Sequence, residues 1–294
     1  MKLPQGFVGA ACAAGLKSTR ALDLTLIENK GPSFFGTAVF TSNKVVAAPV
    51  IWSKQVVKDQ IVRAVVLNSG GANACTGPQG FADTHATAEL VGELLEVSSG
   101  EVVVCSTGLI GELLPMTKIE SGIRSIATVL KSESLQECAQ AIMTTDSVPK
   151  IAQAKLGKVQ VAGIAKGAGM LAPALATMLS VVMTDGQVSS NASKIFAQVT
   201  DRTYNRIDSD GCTSTNDTVL FMASGASGQT LSDSELEDLL MKVCGSLAAQ
   251  LIEDADVLTG WNSEGYDIPY MVNRVTRVMS KDDTRKFCLM GQLP

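Results

Sequence analysis

The sequence has few of the residues on which several common site chemistries depend. Aromatic residues make up 4% of its 294 positions, and His85 is its single histidine. A Ser-His-Asp or Cys-His mechanism would have to use that residue, which lies within the helical pattern "FADTHATAEL". A lone histidine on a helix face is usually solvated or capped, so a histidine-based hydrolase is disfavoured.

Other shortages exclude further classes of protein. The seven cysteines include no C-x-x-C pair and no metal-like spacing, which indicates reduced thiols, a cytoplasmic location and no bound metal. The net charge is -5 and the basic residues are scattered, so we expect no nucleic-acid partner. No apolar run approaches the roughly 18 residues of a membrane span, so we expect no membrane partner.

Small and β-branched residues are plentiful, and their apolar runs predict seven strands. Those runs are "ALDLTLI" from Ala21, "KVVAAPVI" from Lys44, "RAVVL" from Arg63, "EVVVCS" from Glu101, "KVQVAGIA" from Lys158, "LSVVMT" from Leu179 and "TVLFMAS" from Thr218. Helical periodicity predicts helices at about 80–97, 118–131, 134–143, 190–204 and 233–254. The elements mix without a strict βαβ period, which favours layered α/β or α+β packing.

Helix starts and loop motifs refine this picture. Three S/T-x-x-E patterns predict capping boxes, pairing Thr117 with Glu120, Ser134 with Glu137 and Ser232 with Glu235.

The stretch "GAACAAGLKST" from Gly9 imitates a phosphate-binding loop, but Leu16 separates its glycine from Lys17. The stretch "DSDG" from Asp208 lacks the later ligands of a calcium loop. "NSGGANACTGPQGF" from Asn68 fits either an anion cradle or a tight turn.

The stretch "KGAGMLAPALATMLSVVMTDG", from Lys166 to Gly186, places Thr177 between a glycine-rich loop and a strand. A hydroxyl nucleophile without histidine can use its own α-amine as base, once the chain is cut just before it. That amine titrates near 8, so a useful fraction is neutral at pH 7. Gly167, Gly169 and Pro173 suit a strained loop that holds the hydroxyl against the Ala176 carbonyl.

These residues resemble the self-processing segment of the ornithine acetyltransferase family, the bifunctional glutamate N-acetyltransferases of arginine biosynthesis. The likeness spans about residues 6–255, and further matching segments follow in the family's order. They are "GPSFFGTAVFTSNKVVAAPV" from Gly31, "VVLNSGGANACTGPQGF" from Val65, "STGLIGELLPM" from Ser106, "AIMTTD" from Ala141 and "DGCTSTNDTVL" from Asp210.

The resemblance implies a fold of two stacked sheets flanked by helices, of the self-cleaving N-terminal-nucleophile type. It implies cleavage between Ala176 and Thr177 into an α chain, 1–176, and a β chain, 177–294, which assemble as a heterotetramer. It also implies a ping-pong reaction without a cofactor. Thr177 would take the acetyl group from N-acetylornithine and pass it to glutamate, and acetyl-CoA serves some members as a second donor.

The resemblance assigns roles to other residues as well. Thr107 and Gly108 would form the oxyanion hole, by hydroxyl and backbone amide. Lys166 and a threonine of "TTD", Thr144 or Thr145, would hold the carboxylate or acyl part of the substrate. A lysine charge suits a carboxylate, and a loop after the strand "EVVVC" suits the presentation of donors.

The tail at 256–294 does not resemble the family, since Asp256-Val257 stands where Glu-Gly is expected. Two alternatives to the acetyltransferase stay open. One is an N-terminal-nucleophile amidohydrolase or aminopeptidase, which would release its product to water. The other is an inactive remnant that binds a full-length relative. The roles of Asn216 and Asp217, which precede "TVLF", also stay open.

Overall fold

The computed structural model describes residues 1–167, 178–207 and 213–254. Its strands are β1 (Phe7–Cys12), β2 (Leu24–Asn29), β3 (Phe35–Phe40), β4 (Ala64–Gly71), β5 (Val102–Leu109), β6 (Lys150–Leu156), β7 (Val159–Lys166), β8 (Leu179–Thr184) and β9 (Thr218–Ala223). Its α-helices are α1 (Ala48–Val56), α2 (Gly77–Leu95), α3 (Met116–Ala127), α4 (Leu135–Ile142), α5 (Ala192–Arg202) and α6 (Asp233–Glu253). None of the described helices is long and apolar enough to cross a membrane.

The strands form two mixed sheets. Sheet A has the order β1-β2-β4-β5, and sheet B has the order β3-β9-β8-β7-β6. Each sheet contains one parallel pair, β4 with β5 and β8 with β9, and its other neighbours are antiparallel. In sheet B, the antiparallel pair β7 and β8 places Lys166 opposite Leu179.

The side chains alternate between two faces of each sheet and so build three apolar layers. One cluster contains Val65 and Leu67 of β4 together with Val181 of β8, so the inner faces of the two sheets share it with α4. A second cluster joins the outer face of sheet A to α2 and α3, and a third joins that of sheet B to α5 and α6. The result is a helix-sheet-sheet-helix sandwich, which confirms the predicted stacked sheets.

The structure corrects several expectations about individual elements. The run at 44–51 is not a strand, because α1 begins at Ala48 and Pro49 occupies its first turn, where a fixed φ suits a helix. Of the three capping boxes, only that of Ser232 and Glu235 is present. The helix α3 begins at Met116 after Pro115, which leaves Thr117 inside it. The Ser134 hydroxyl donates to the Lys131 carbonyl and does not cap α4.

Candidate active site between the strand ends

The strand ends of the two sheets meet at a contact between Lys166 and Thr107. Lys166 ends β7 of sheet B, and Thr107 lies near the end of β5 of sheet A. Both residues are 1% exposed, and the Lys166 Nζ donates a hydrogen bond to the Thr107 Oγ1 at 3.1 Å. Because that oxygen accepts from the ammonium, its own proton is free to serve another acceptor. Two residues that the resemblance named are thus brought together.

The sheet A side of this site is neutral and closely packed. Gly108 follows Thr107 with a φ of +133°, and a Cβ there would lie 2.7 Å from Gly70 C and Gly71 N. Only glycine fits both the torsion and the space. Behind it, the Ser106 hydroxyl donates to Asn68 Oδ1 at 2.6 Å, and Asn68 Nδ2 donates to the Gly71 carbonyl. These bonds fix the strand ends that carry Thr107 and Gly108.

Asn216, just before β9, joins the two sheets at the same place. Its side chain is buried, and its Nδ2 donates to the carbonyls of Ala72, at 2.5 Å, and Ser106, at 2.9 Å. Both carbonyls belong to the sheet A side, so one amide group satisfies two backbone acceptors across the interface. This geometry gives Asn216 a structural role that the sequence left open.

The sheet B side of the site is charged. Asp146 accepts from the Gly167 amide at 2.8 Å, from the Thr144 amide at 3.0 Å and from Lys150 Nζ at 2.7 Å. Lys150 Nζ also donates to Asp254 Oδ2 at 2.6 Å, at the end of α6. One buried carboxylate therefore ties the "TTD" loop to the residue after β7.

Burial and charge shift the protonation of two groups here. Burial lowers the pKa of Lys166 to about 8, although the carboxylates of Asp146 and Asp217 oppose this shift. Burial raises the pKa of Asp217 to about 7. The Asp217 Oδ1 accepts from the amide of Met178 at 2.7 Å, whereas its Oδ2 is buried without a hydrogen-bond partner among the described residues. Met178 directly follows the predicted nucleophile in the chain.

The other residues weighed as site candidates, accepted or rejected, fall into three groups. Ala176 and Thr177 lie outside the described residues, as do Gly169, Pro173 and the "DSDG" stretch. Thr144 and Thr145 are exposed in the bend after α4. His85 packs edge-on against Trp52, with ring centroids 5.0 Å apart, and faces Glu89 at 3.6 Å.

The stretch from Asn68 forms the end of β4 and a turn into α2. The Asn73 Nδ2 holds this turn by donating to the Gly80 carbonyl at 2.8 Å. Asp146 and Lys150 are not among the site residues predicted from the sequence. The one available signal was the position of Asp146 directly after the two threonines of "TTD". The described residues contain no group of three or more His, Cys, Asp or Glu side chains that could hold a metal.

The fold and these residues define a two-sheet sandwich with a polar cluster at its inner strand ends. The sequence model of the ArgJ family matches residues 9–261. The chain therefore belongs to the ArgJ family, which confirms the resemblance seen in its motifs.

Curated relatives and solved structures agree with this assignment. The arginine biosynthesis bifunctional protein ArgJ of Streptomyces avermitilis is 52% identical over 253 residues, which are 86% of this chain. That of Mycolicibacterium paratuberculosis is 51% identical over 265 residues, 87% of this chain. The alignments cover 66% of each relative, so the chain spans slightly less than two thirds of their length.

Two solved structures share the fold. A chain of ornithine acetyltransferase from Mycobacterium tuberculosis, complexed with ornithine, has a TM-score of 0.53 and 48% identity, over 59% of this chain and 94% of that chain. A β-aminopeptidase from Burkholderia sp. has a TM-score of 0.53 over 94% of this chain. Its identity of 10% shows a common fold alone.

Proposed function

We propose that this chain is an acetyltransferase of arginine biosynthesis, activated by its own cleavage between Ala176 and Thr177. It transfers an acetyl group from N-acetylornithine to glutamate by way of an ester on Thr177. The observation that carries the proposal is the buried Lys166–Thr107 contact in a chain about half identical to ArgJ proteins. Lys166 lies opposite Leu179, so the described strands before and after the segment with the proposed cut both end beside this contact.

The cleavage step follows from the hydroxyl of Thr177. Its oxygen adds to the Ala176 carbonyl, the C–N bond breaks, and the Thr177 nitrogen takes a proton and becomes an α-amine. Water then hydrolyses the new ester, which leaves a carboxylate on Ala176 and a free hydroxyl on Thr177. The solved ornithine acetyltransferase chain supports this proposal, because its match takes up 59% of this chain, a share similar to that of residues 1–176.

The transfer uses the same oxygen twice. Thr177 adds to the acetyl carbonyl of N-acetylornithine, the C–N bond breaks, and ornithine leaves with the proton that the α-amine has relayed. The amine of glutamate then attacks the ester, forms N-acetylglutamate and returns the hydroxyl. Thr107 and Gly108 stabilise the oxyanion in both halves, and such donors contribute about 3 kcal/mol each to a transition state. Lys166 and Thr144 or Thr145 hold the substrate.

We further propose an assembly, a location and a second acetyl donor for this protein. The two products of cleavage, 1–176 and 177–294, remain together and pair into a heterotetramer in the cytoplasm. The reaction needs no cofactor, and acetyl-CoA is a candidate second acetyl donor. Size-exclusion chromatography with light scattering, and assays with acetyl-CoA in place of N-acetylornithine, test these points separately.

The decisive experiment compares Thr177→Ala and Thr177→Ser with the unaltered chain. Mass spectrometry should find two polypeptides, cut after Ala176, in the unaltered chain and in Thr177→Ser, because serine keeps the hydroxyl. Thr177→Ala should give one intact polypeptide and no acetyl transfer. Thr117→Ala, which alters an exposed threonine of α3, is the matched control and should behave as the unaltered chain.

Two results would contradict this proposal. Cleavage of the Thr177→Ala chain would show that the hydroxyl is not the internal nucleophile. Release of free acetate from N-acetylornithine, without any dependence on glutamate, would show that water is the acceptor and that the chain is an amidohydrolase.

A further inference from the structure

The loop that imitates a phosphate-binding motif is folded around a carboxylate of the chain itself. The fully buried Asp23 accepts from the amides of Ala14 at 2.6 Å, Gly15 at 3.1 Å, Leu16 at 2.7 Å and Lys17 at 3.1 Å. These amides are occupied, so they are not a phosphate cradle. They instead give the backbone of the loop a fixed shape up to Lys17.

The side chain of Lys17 extends from this loop to a surface pocket. The pocket has a volume of about 330 Å³, and both Lys17 and Thr144 line it. Leu22, Gln140 and Met143 supply much of its remaining wall. One N–H of the Lys17 ammonium donates to the Leu22 carbonyl at 2.8 Å, and its other two have no partner among the described residues.

Lys17 is the one charged residue among the described residues that line this pocket. Burial lowers the pKa of Lys17, and the carboxylates of Asp23 and Asp146 oppose this shift. Lys17 in turn adds to the lowering of the pKa of Lys166, so the pocket lysine and the buried site share one electrostatic field. Lys166 is 1% exposed and donates to Thr107. Lys17 is partly exposed, so its ammonium is accessible to an anion from solvent.

We propose that Lys17 binds the carboxylate of the amino-acid substrate, with its ammonium held at the pocket that it shares with Thr144. The proposal rests on the proposed function, because N-acetylornithine and glutamate both carry an α-carboxylate. It gives a role to a residue outside the set implied by the family resemblance. It also explains why a partly exposed lysine is held by a loop as closely bonded as this one.

The test compares Lys17→Met with a matched control in the whole protein, which contains both products of the cleavage. Lys17→Met keeps the length of the side chain and removes its charge. Lys118→Met removes the bond from Lys118 Nζ to the Gly15 carbonyl, at 2.8 Å, and so loosens the same loop without touching the pocket. Lys17→Arg restores the charge.

Two donors separate a carboxylate contact from a general loss of activity. With N-acetylornithine, Lys17→Met should lower kcat/KM roughly 10-fold, since a charge-assisted hydrogen bond is lost. With N-acetyl-1,4-diaminobutane, the same donor without its carboxylate, kcat/KM should change less than about 2-fold. Lys118→Met should leave both values near those of the unaltered protein, and Lys17→Arg should recover part of the loss. Equal losses with both donors would overturn the proposal.

Calorimetric binding of N-acetylornithine keeps this inference separate from the proposed function. If the unaltered protein neither cleaves nor transfers but binds N-acetylornithine more tightly than Lys17→Met does, the proposed reaction fails and the carboxylate site stands. If the unaltered protein transfers acetyl groups and Lys17→Met matches it in both affinity and kcat/KM, the reaction stands and the site fails. If the unaltered protein binds no N-acetylornithine, both fail.

Discussion

The two sheets contribute different kinds of group to the same site. Sheet A contributes neutral donors and glycines, among them Thr107 and Gly108, which a tight network behind them holds in place. Sheet B and its adjoining loops contribute charges, among them Asp146, Lys166 and Asp217. A neutral donor keeps its protons across the working pH range, whereas buried charges titrate with their surroundings. We therefore expect the sheet A groups to be sensitive mainly to changes in geometry, and the sheet B groups mainly to changes in pH.

The largest expected effect comes from added bulk on the neutral, sheet A side of the site. Gly108→Ala would place a Cβ 2.7 Å from the Gly70 and Gly71 backbone, at a φ of +133° that alanine rarely adopts. The strand ends would have to separate, which would move the Thr107 hydroxyl and the Gly108 amide. We expect kcat for acetyl transfer to fall about 100-fold, the usual loss for an oxyanion-hole donor.

A second glycine nearby controls for backbone strain. Gly111 also has a positive φ, +90°, but a Cβ there would meet nothing within 4 Å. Gly111→Ala should cost some stability and leave kcat nearly unchanged. Equal kcat values for the two variants would refute the assignment of Gly108 to the oxyanion hole.

The next effect is a loss of protein stability when the charged, sheet B side of the site is altered. Lys150 Nζ contacts both Asp146 and Asp254, at 2.7 and 2.6 Å, and the Lys150 side chain is fully buried. Lys150→Met would leave the buried Asp146 carboxylate without its closest cation. We expect the free energy of unfolding, measured by urea titration, to fall by about 3 kcal/mol.

An exposed ion pair is the appropriate comparison for Lys150. Lys131 lies 2.9 Å from Glu137 with half of its side chain exposed, so Lys131→Met should cost less than about 1 kcal/mol. If the two methionine variants lost similar stability, the buried cluster would contribute no more than a surface pair.

The last effect is a change in the pH dependence of stability. The pKa of Asp217 is about 7, above its ordinary value of 3.8, so the folded state holds a proton that the unfolded state releases between those values. This group therefore favours folding fully below about pH 4 and loses that contribution as the pH rises to about 7. Asp217→Asn should gain stability relative to the unaltered chain over that range, by at most about 1.4 kcal/mol per pH unit.

Urea titrations at pH 4 and pH 7 measure this difference. Asp201→Asn, on the exposed side of α5, removes the same formal charge and is the control. Parallel stability profiles for Asp217→Asn and the unaltered chain would mean that Asp217 ionises normally in the folded protein.

The sequence indicated the central strands well because burial on both faces produces unbroken apolar runs. All six residues of β8 and of β9 are buried, and both strands were predicted. The three missed strands, β1, β3 and β6, all lie at sheet edges, where partial exposure interrupts the pattern. The false strand at 44–51 contains an apolar run too short to distinguish a buried strand from a helix.

The site was predictable only where a motif marked it. Thr107, Gly108 and Lys166 were named from the family resemblance, and the structure places them in one cluster. Lys150 carried no such mark, because a lysine in a sequence is expected at the surface and only the tertiary fold shows that it is buried. The nucleophile itself stays a prediction, since Thr177 lies outside the described residues.

The order of sheet B has a consequence for a chain cut after residue 176. Its strands β9 and β8 would come from the second piece, while β3, β7 and β6 would come from the first. Each piece would thus interleave with the other through backbone ladders on two sides, β3 with β9 and β7 with β8. Such pieces cannot part without dismantling the sheet, so the cut molecule would have two covalent chains and a single cooperative melting transition.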